Sequence, residues 1–347
     1  MAGPEELAAF DFALPPERIA QEPLPERDAA RMLVLDRARG TLAHEQVRGL
    51  ARRLRPGDLL VVNATRVLPA KLRGRKASGG AAEALLLGPV GSDPLRLRAL
   101  LRQRGRLRVG QKLRFGGEPG GLDAELVALG EEGEVVLAFA AGLSPYALGE
   151  TPLPPYIRRE APRAADAERY QSVFARVPGS VAAPTASLHL GERLLAELAA
   201  HGVERAEIVL HVGPGTFRPL REAELATGRL HPERYRLPEE TAAAIERTRA
   251  RGGRVVAVGT TTSRVLEHCA EEGGRVRPGE GETTLFLRPG DRFRVVDALL
   301  TNFHLPRSSL LLLVAAFAGR ERVLRAYAEA LAAGYRFYSY GDAMLLL

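Results

Sequence analysis

Several residue types are almost missing from this chain of 347 residues. It contains one cysteine, three methionines, three lysines, five glutamines and only two asparagines. The single thiol, Cys269, excludes a disulfide framework and a zinc site built from cysteines. The scarcity of thermolabile side chains is typical of proteins from hot environments, and a GC-rich genome produces the same bias.

The shortage of lysine leaves arginine as the main source of positive charge. Lys71, Lys76 and Lys112 are the only lysines among 49 basic residues. The formal net charge is +7 and the isoelectric point is about 9.9. Such a balance favours a polyanionic partner, with nucleic acid ahead of a membrane surface.

Long apolar runs are also missing. The first residues, MAGPEELAAFDF, are acidic and lack the apolar core of a signal peptide. The longest apolar run, LLLLVAAFA (310–318), is too short to span a bilayer. We therefore expect a cytoplasmic protein that does not enter the membrane.

Residues 70–151 have the character of a small all-β barrel. Short strand-like segments such as AEALLL, LRLRALL, DAELVAL and EVVLAFA are separated by glycine-rich turns and lack helical periodicity. The proline-rich stretch TPLPPYI (151–157) then leads out of this region. We predict a β-barrel domain over 70–151, inserted into a discontinuous domain formed by 1–69 and 152–347.

The remaining sequence alternates between strand and helix patterns. GERLLAELAAHG (191–202) and ETAAAIERTRARGG (240–253) have helical periodicity and a glycine stop. Between and after them come the β-branched runs EIVLHVG, RVVAVGT and RVVDALLT. This alternation predicts an α/β domain with a largely parallel core.

Four apolar runs of the predicted α/β domain end in polar or glycine-rich loops. The loops cover residues 63–66, 211–216, 259–262 and 301–304. Because ligands bind beyond the carboxyl ends of parallel strands, these loops are expected to converge on one pocket. Threonine and asparagine also turn corners in ordinary loops, but four such loops together favour a binding site.

The loop HVGPGTF contains two closely spaced glycines, Gly213 and Gly215. A dinucleotide-binding turn needs a third glycine and an immediate helix, and both are missing from the sequence. The glycines either allow the backbone to approach a ligand closely or form a plain tight turn.

Three of the seven histidines lie in loop contexts, at His189, His211 and His304. No metal-binding spacing such as HExxH accompanies them, so proton transfer is favoured over metal binding. A purely structural, hydrogen-bonded imidazole is the alternative at each position.

Residues 96–114 carry arginine or lysine only at even positions, without an intervening acid. Within one strand this spacing places the charges on one face, suited to a phosphate backbone or simply to solvent. A second basic cluster, KLRGRK, occupies 71–76. The C-terminal segment GYRFYSYGDAM holds Tyr335, Tyr338 and Tyr340, which either stack on a base or pack beneath a helix.

Taken together, the longer motifs resemble one family, the S-adenosylmethionine:tRNA ribosyltransferase-isomerases of queuosine biosynthesis. The motifs run in the family's order from about residue 10 to 344: FDFALPPERIAQEP, VVNATRVLPAKLRGRK, PLPPYIRRE, GSVAAPTASLHL, LHVGPGTFRP, VGTTTSR, VVDALLTNFHLPRSSLLLLVAAFAG and YSYGDAM.

The resemblance implies a function. Members of the family transfer the ribosyl moiety of S-adenosylmethionine to 7-aminomethyl-7-deazaguanine at the tRNA wobble position and isomerise it, giving epoxyqueuosine-tRNA, adenine and methionine. S-adenosylmethionine is then a consumed substrate, no metal or redox cofactor is needed, and tRNA is the partner. The expected fold is an α/β domain interrupted by a small β barrel, and we expect a monomer. A methyltransferase or other S-adenosylmethionine-dependent RNA-modifying enzyme, or a non-catalytic RNA-binding protein, is the alternative.

Candidate roles follow for individual residues. The acid–base candidates are His189, His211 and His304. The substrate-binding candidates are Asn63, Thr65, Arg66, Gly213, Gly215, Thr216, Thr260, Thr261 and Asn302, with Asp297 or Asp342 balancing the sulfonium charge. The tRNA-binding candidates are Arg73, Arg75, Lys76, Arg102, Arg104, Arg106, Arg108 and Arg158. The two asparagines are expected to hold substrate hydroxyls or an amine, because a planar amide offers both donors and acceptors.

Overall fold

The structure, a computed structural model, describes residues 7–117, 119–217 and 220–347. Its strands are β1 Arg31–Asp36, β2 Thr41–Gln46, β3 Leu59–Asn63, β4 Thr65–Val67, β5 Lys71–Lys76, β6 Ala81–Val90, β7 Asp93–Gln103, β8 Lys112–Phe115, β9 Leu122–Leu129, β10 Glu134–Phe139, β11 Val177–Ser180, β12 Glu204–Leu210, β13 Arg229–Leu237, β14 Val255–Val258, β15 Gly279–Leu285, β16 Ala298–Asn302 and β17 Ala343–Leu346. Its α-helices are α1 Ala164–Arg169, α2 Glu192–Ala200, α3 Glu222–Thr227, α4 Glu239–Ala250, α5 Thr260–His268, α6 Ser309–Ala318 and α7 Arg320–Ala332.

A nine-stranded mixed sheet forms the larger part of the molecule, in the order β15-β13-β12-β3-β14-β16-β17-β1-β2. The four neighbouring strands β12, β3, β14 and β16 are parallel. The expected α/β architecture is therefore present, but the sheet is less parallel than predicted. Two consecutive helices, α6 and α7, return the chain to the carboxyl edge of β16, so β17 runs antiparallel to β16.

Helices cover both faces of this sheet because its strands are apolar on both sides. Leu59 and Val61 of β3 face a core that includes residues of α4, α5, α6 and α7. Leu60 and Val62 face the opposite core, which includes Leu194 and Leu198 of α2. The alternation of side chains along β3 thus anchors the strand on both sides and fixes the position at which it ends.

The second β unit is a closed barrel with the strand order β10-β7-β6-β5-β8-β9, which confirms that the chain combines a barrel with an α/β unit. Alternate residues fill its interior, among them Leu97, Ala99 and Leu101 of β7. The chain enters and leaves the barrel side by side, since Lys71 and Glu150 exchange backbone hydrogen bonds of 3.1 and 2.8 Å. The domain boundaries at 69/70 and 151/152 stay predictions.

The apolar run 310–318 lies in α6, which is buried along most of its length. Within the described ranges, no helix is both long enough and apolar enough to cross a membrane.

An aromatic cluster joins the end of β16 to α7. The Phe303 ring is fully buried, and its centroid lies 5.2 Å from that of Tyr327 and 5.0 Å from that of Phe337. We expect Phe303→Ala to lower the free energy of unfolding by about 3–5 kcal/mol, because it leaves a cavity in this cluster.

Urea titration followed by circular dichroism measures this loss. The exposed Leu129, replaced by Ala, is the control and is expected to change the free energy by less than about 0.5 kcal/mol. A loss for Phe303→Ala as small as that of the control would contradict the assignment of this cluster to the core.

Candidate active site

A cavity of about 620 Å³ lies at the carboxyl ends of β14 and β16. Its walls come from the segment 182–186, the start of α5, the β16–α6 connection and Tyr338 with Ser339. Pro155, Tyr156, Tyr170, Val212 and Thr216 complete the lining. This volume falls in the range of small-molecule sites. The strand ends meet here because the four central strands are parallel.

Asn63 connects the strand ends near the cavity through hydrogen bonds. Its amide nitrogen donates to the Leu210 carbonyl at 3.0 Å and to Thr261 Oγ1 at 3.3 Å. Its amide oxygen accepts from the backbone N–H groups of Thr65 and Leu210, both at 3.1 Å. These four bonds use both donors and two acceptor sites of the amide. Asn63 therefore ties three strand ends together and has a positioning role, while its predicted contact with the substrate stays a prediction.

Asn302 differs because its amide is only half used. Its nitrogen donates to the Tyr338 carbonyl at 2.8 Å. Its Oδ1 is buried and accepts no hydrogen bond of normal geometry from a described residue, although the His189 side chain interacts with this amide, and Asn302 lines the cavity. A buried acceptor without a partner costs free energy unless a ligand or water supplies a donor. Asn302 is therefore suited to accept a hydrogen bond from an N–H or O–H group of a ligand.

His304 is the predicted imidazole that lines this cavity. Its Nε2 lies 2.9 Å from Thr301 Oγ1, and its backbone N–H donates to the Tyr327 hydroxyl at 3.0 Å. Burial lowers its pKa to about 3, because a charged imidazole loses its hydration there. The ring is thus neutral at pH 7, and its burial makes it a weaker base than an exposed imidazole.

The other two predicted imidazoles do not line this cavity. His189 lines a small neighbouring cavity with Arg27 and Arg336. Its Nε2 makes no hydrogen bond of normal geometry to a described residue, but its side chain interacts with Asn302, and burial lowers its pKa to about 4. The Nδ1 atom of His211 lies 2.8 Å from Thr65 Oγ1. Burial, followed by the charge of Arg234, lowers the pKa of His211.

The remaining loop candidates fall into two groups. Thr216, Thr260 and Thr261 line the cavity, whereas Thr65 is buried against His211 and Arg66 points outward as an exposed side chain.

The loop that contains Gly213 and Gly215 is hydrogen-bonded to a buried ion pair that could not be predicted from the sequence. Glu233 accepts from the Gly213 N–H at 2.9 Å and from the Arg264 guanidinium. This pair helps to hold the pKa of Glu233 at about 2 despite its burial. A Cβ at Gly215 would lie 2.3 Å from the His231 ring, so the close approach inferred for this glycine is to His231. Arg264 stands in the VGTTTSR motif, but nothing in the sequence indicated its partner.

The two acidic candidates lie away from the cavity wall. Asp297 is at the opposite edge of the sheet, where its carboxylate accepts from the Val255 N–H at 2.8 Å. Asp342 is buried and accepts from the backbone N–H groups of Arg31 and Arg336 at 3.1 and 2.8 Å. Neither carboxylate lines the cavity, so the geometry does not support their predicted role beside a sulfonium.

Two residues on the cavity wall have strained backbones. Tyr338 and Arg307 have φ angles of 74° and 56°, in the left-handed region. Such conformations cost about 1–3 kcal/mol and cluster at functional sites. Of the three C-terminal tyrosines, Tyr338 lines the cavity, whereas Tyr335 and Tyr340 are buried.

The basic candidates of the barrel lie on its outer surface. Arg96, Arg98 and Arg102 alternate outward along β7, as the even spacing predicted. The next three arginines lie beyond β7, in the connection to β8, and are therefore not on a strand face: Arg104, Arg106 and Arg108. They are exposed and extend the basic surface of β7.

Of the other basic candidates, Arg73, Arg75 and Arg158 are exposed. Arg73 donates to Glu150 at 3.2 Å, and Lys76 donates to the Arg104 carbonyl at 2.9 Å. Within the part of the chain that the structure describes, no group of three or more His, Cys, Asp or Glu residues is placed to hold a metal ion.

Comparison with known proteins confirms the family resemblance. A family model described as queuosine biosynthesis protein matches residues 7–346, and the chain belongs to this family. It is 54% identical to an S-adenosylmethionine:tRNA ribosyltransferase-isomerase of Anaeromyxobacter dehalogenans, over 98% of this chain and 99% of that protein. It is 50% identical to one of Thermus thermophilus, over 99% and 100%.

A solved structure also resembles the chain. The crystal structure of S-adenosylmethionine tRNA ribosyltransferase from Thermotoga maritima has 37% sequence identity and a TM-score of 0.56, and the match covers 98% of this chain and all of that one.

The low pKa values of His304 and His189 make stability sensitive to mild acid. An unfolded histidine takes up a proton below about pH 6.5, whereas these two folded rings do so only near pH 3 and 4. The free energy of unfolding should therefore fall as pH drops from 6.5 to 5. We expect His304→Gln to show a shallower fall, because one of the two rings is gone.

Urea unfolding at pH 7.5, 6.0 and 5.0 measures the slope. His201→Gln, at an exposed site after α2, is the control and should retain the wild-type slope. Equal slopes for His304→Gln and wild type would show that His304 is not a buried neutral ring.

Proposed function

We propose that this chain transfers the ribosyl moiety of S-adenosylmethionine to 7-aminomethyl-7-deazaguanine at the wobble position of tRNA and isomerises it. The products are epoxyqueuosine-tRNA, adenine and methionine. Family membership and the names of its relatives support this reaction. The observation that carries the proposal is the strand-end cavity, where a neutral imidazole and a half-used amide face one space. Both substrates belong to the cytoplasm, where we place the protein as a monomer.

The sulfonium of S-adenosylmethionine acidifies the hydrogens on ribose C5′, and removal of one starts ring opening and loss of adenine. We assign the proton-accepting role to His304, because it alone of the three predicted imidazoles lines the cavity. Thr301 fixes the ring through its contact with Nε2. Asn302 Oδ1 is assigned to an N–H group of adenine or of the incoming amine.

Two helices begin at the cavity, α5 at Thr260 and α6 at Ser309. The positive ends of their dipoles favour a carboxylate. We therefore place the carboxylate of the methionine part toward these helices, with the nucleoside toward Asn302 and His304.

The exposed arginines of the barrel are assigned to the tRNA backbone. Arg102, Arg106 and Arg108 form no salt bridge with any described residue, in contrast to Arg73. Arginines without acidic partners keep their full charge available for phosphates, and each phosphate contact makes affinity more dependent on salt.

Release of free adenine tests the reaction. Incubating the protein with adenine-labelled S-adenosylmethionine and tRNA bearing 7-aminomethyl-7-deazaguanine should give adenine in proportion to modified tRNA. We expect His304→Gln to lower kcat at least about 100-fold, the usual loss when a positioned base is removed, while His201→Gln keeps wild-type turnover.

The products of this assay also separate other functions. S-adenosylhomocysteine in place of adenine would identify a methyltransferase, and tRNA binding without any turnover would identify an RNA-binding protein. Either result would overturn the proposed reaction, and wild-type turnover in His304→Gln would remove His304 from it.

The basic surface of the barrel is tested by salt dependence. The double replacement of Arg102 and Arg106 by Ala should raise the KM for tRNA and reduce the slope of log affinity against log salt by about two, one for each lost phosphate contact. The KM for S-adenosylmethionine should not change. Arg292→Ala, an exposed arginine outside the barrel, is the control, and an unchanged slope in the double variant would exclude this surface.

A further inference from the structure

Two tyrosines form an aromatic corner on the cavity wall. The ring centroids of Tyr156 and Tyr338 are 3.9 Å apart and their planes meet at 62°. Both side chains keep part of their surface exposed. The other aromatic residues of the wall, Tyr170 and Phe303, are fully buried. This corner is therefore the part of the wall where a ligand can contact aromatic rings.

The same wall offers no negative charge to a cation. No aspartate or glutamate is among the described residues that line the cavity. The charged side chain on the wall is Arg307, which is paired with Asp11. A sulfonium bound here would lose hydration without gaining an ion pair, so another source of attraction is required.

We propose that Tyr156 and Tyr338 bind the sulfonium of S-adenosylmethionine against their ring faces. The inference rests on the proposed function, which places this substrate in the cavity. The negative face of an aromatic ring attracts cations, and cages of several rings bind methylated cations in this way. The two rings thus supply the attraction to the sulfonium that was predicted for the carboxylate of Asp297 or Asp342.

The geometry of the corner favours a compact cation over a flat base. Stacking of a nucleobase needs a ring face with free space parallel to it, whereas these two rings contact each other edge to face, with centroids 3.9 Å apart, and leave only part of each ring free. A methylated sulfonium is small and pyramidal, and it can contact the free part of each ring beside this contact.

Both rings are also held in place before a ligand arrives. The Tyr156 hydroxyl lies 2.6 Å from Ser339 Oγ. The strained backbone of Tyr338 is fixed at its N–H by the Phe303 carbonyl at 3.1 Å and at its carbonyl by Asn302 at 2.8 Å. Burial raises the pKa of both phenols, so the rings act as neutral aromatic surfaces.

The corner has a consequence for the reaction. When the carbon–sulfur bond to C5′ breaks, its electron pair stays on sulfur and the sulfonium becomes the neutral thioether of methionine. Attraction to the rings is then lost, so the corner holds the substrate more strongly than the product and favours release of methionine.

The test compares ligands that differ in charge at the sulfur position. S-adenosylmethionine carries a sulfonium, sinefungin has an ammonium group at that position, and S-adenosylhomocysteine is neutral there. The KM for S-adenosylmethionine and the inhibition constants of the other two are measured by adenine release with saturating modified tRNA. Equilibrium dialysis with labelled S-adenosylmethionine, with the two analogues as competitors, replaces these constants for any variant that has lost turnover.

We expect Tyr156→Leu and Tyr338→Leu each to weaken the binding of both cationic ligands by about 2- to 30-fold relative to the binding of S-adenosylhomocysteine, which is the range of single cation–π contacts. Tyr156→Phe and Tyr338→Phe keep a ring face and should retain the wild-type preference. Thermal unfolding identifies a leucine variant that has failed to fold, and the other leucine variant then decides the result.

An equal loss for all three ligands in the leucine variants would overturn the proposal, because it would show that the rings contact an uncharged part of the ligand or a base. Loss confined to S-adenosylmethionine, without sinefungin, would assign the effect to the methyl group and would also overturn it. The proposed function fails separately, if the wild-type protein releases no adenine.

Discussion

Parallel alignment of four strands is the constraint on which the site depends. Because β12, β3, β14 and β16 run in the same direction, their carboxyl ends and the loops that follow lie at one edge of the sheet. Asn63 then joins these ends through hydrogen bonds to Leu210, Thr65 and Thr261. The antiparallel β17 starts at the same edge, opposite Asn302, and its approach brings Tyr338 to the cavity. The loops are thus positioned by backbone pairing that has no part in the chemistry.

Much of the fold was predictable where a sequence pattern reflects burial on a simple period. The helices α2, α4 and α7 and the strands β3, β12 and β14 follow runs of apolar residues. The mixed order of the sheet was not predictable, because it depends on the pairing of segments far apart in the chain. β15 and β13 are an example: GEGETTL and RLHPERYRL lack an apolar run, yet they pair at the edge of the sheet.

The site was predictable to the extent that polar residues follow apolar strands. Thr261, Asn302 and His304 were found in this way and do line one cavity. Which atoms remain free could not be inferred, because Asn63 and Asn302 look alike in sequence and differ only in their neighbours. The electrostatics of the site also depend on contacts that only the fold creates. The carboxylate of Asp342 accepts hydrogen bonds from the backbone N–H groups of Arg31 and Arg336. The rings of Tyr156 and Tyr338 are in contact although the residues are 182 positions apart in the chain.

A crystal structure with bound sinefungin tests the central claim, that this strand-end cavity holds the nucleoside, more directly than any kinetic measurement. We expect the ligand in the cavity, with an N–H or O–H group of its nucleoside within about 3.2 Å of Asn302 Oδ1 and its carboxylate toward the start of α5 or α6. A nucleoside bound elsewhere on the protein, with the strand-end cavity containing only solvent, would contradict this claim.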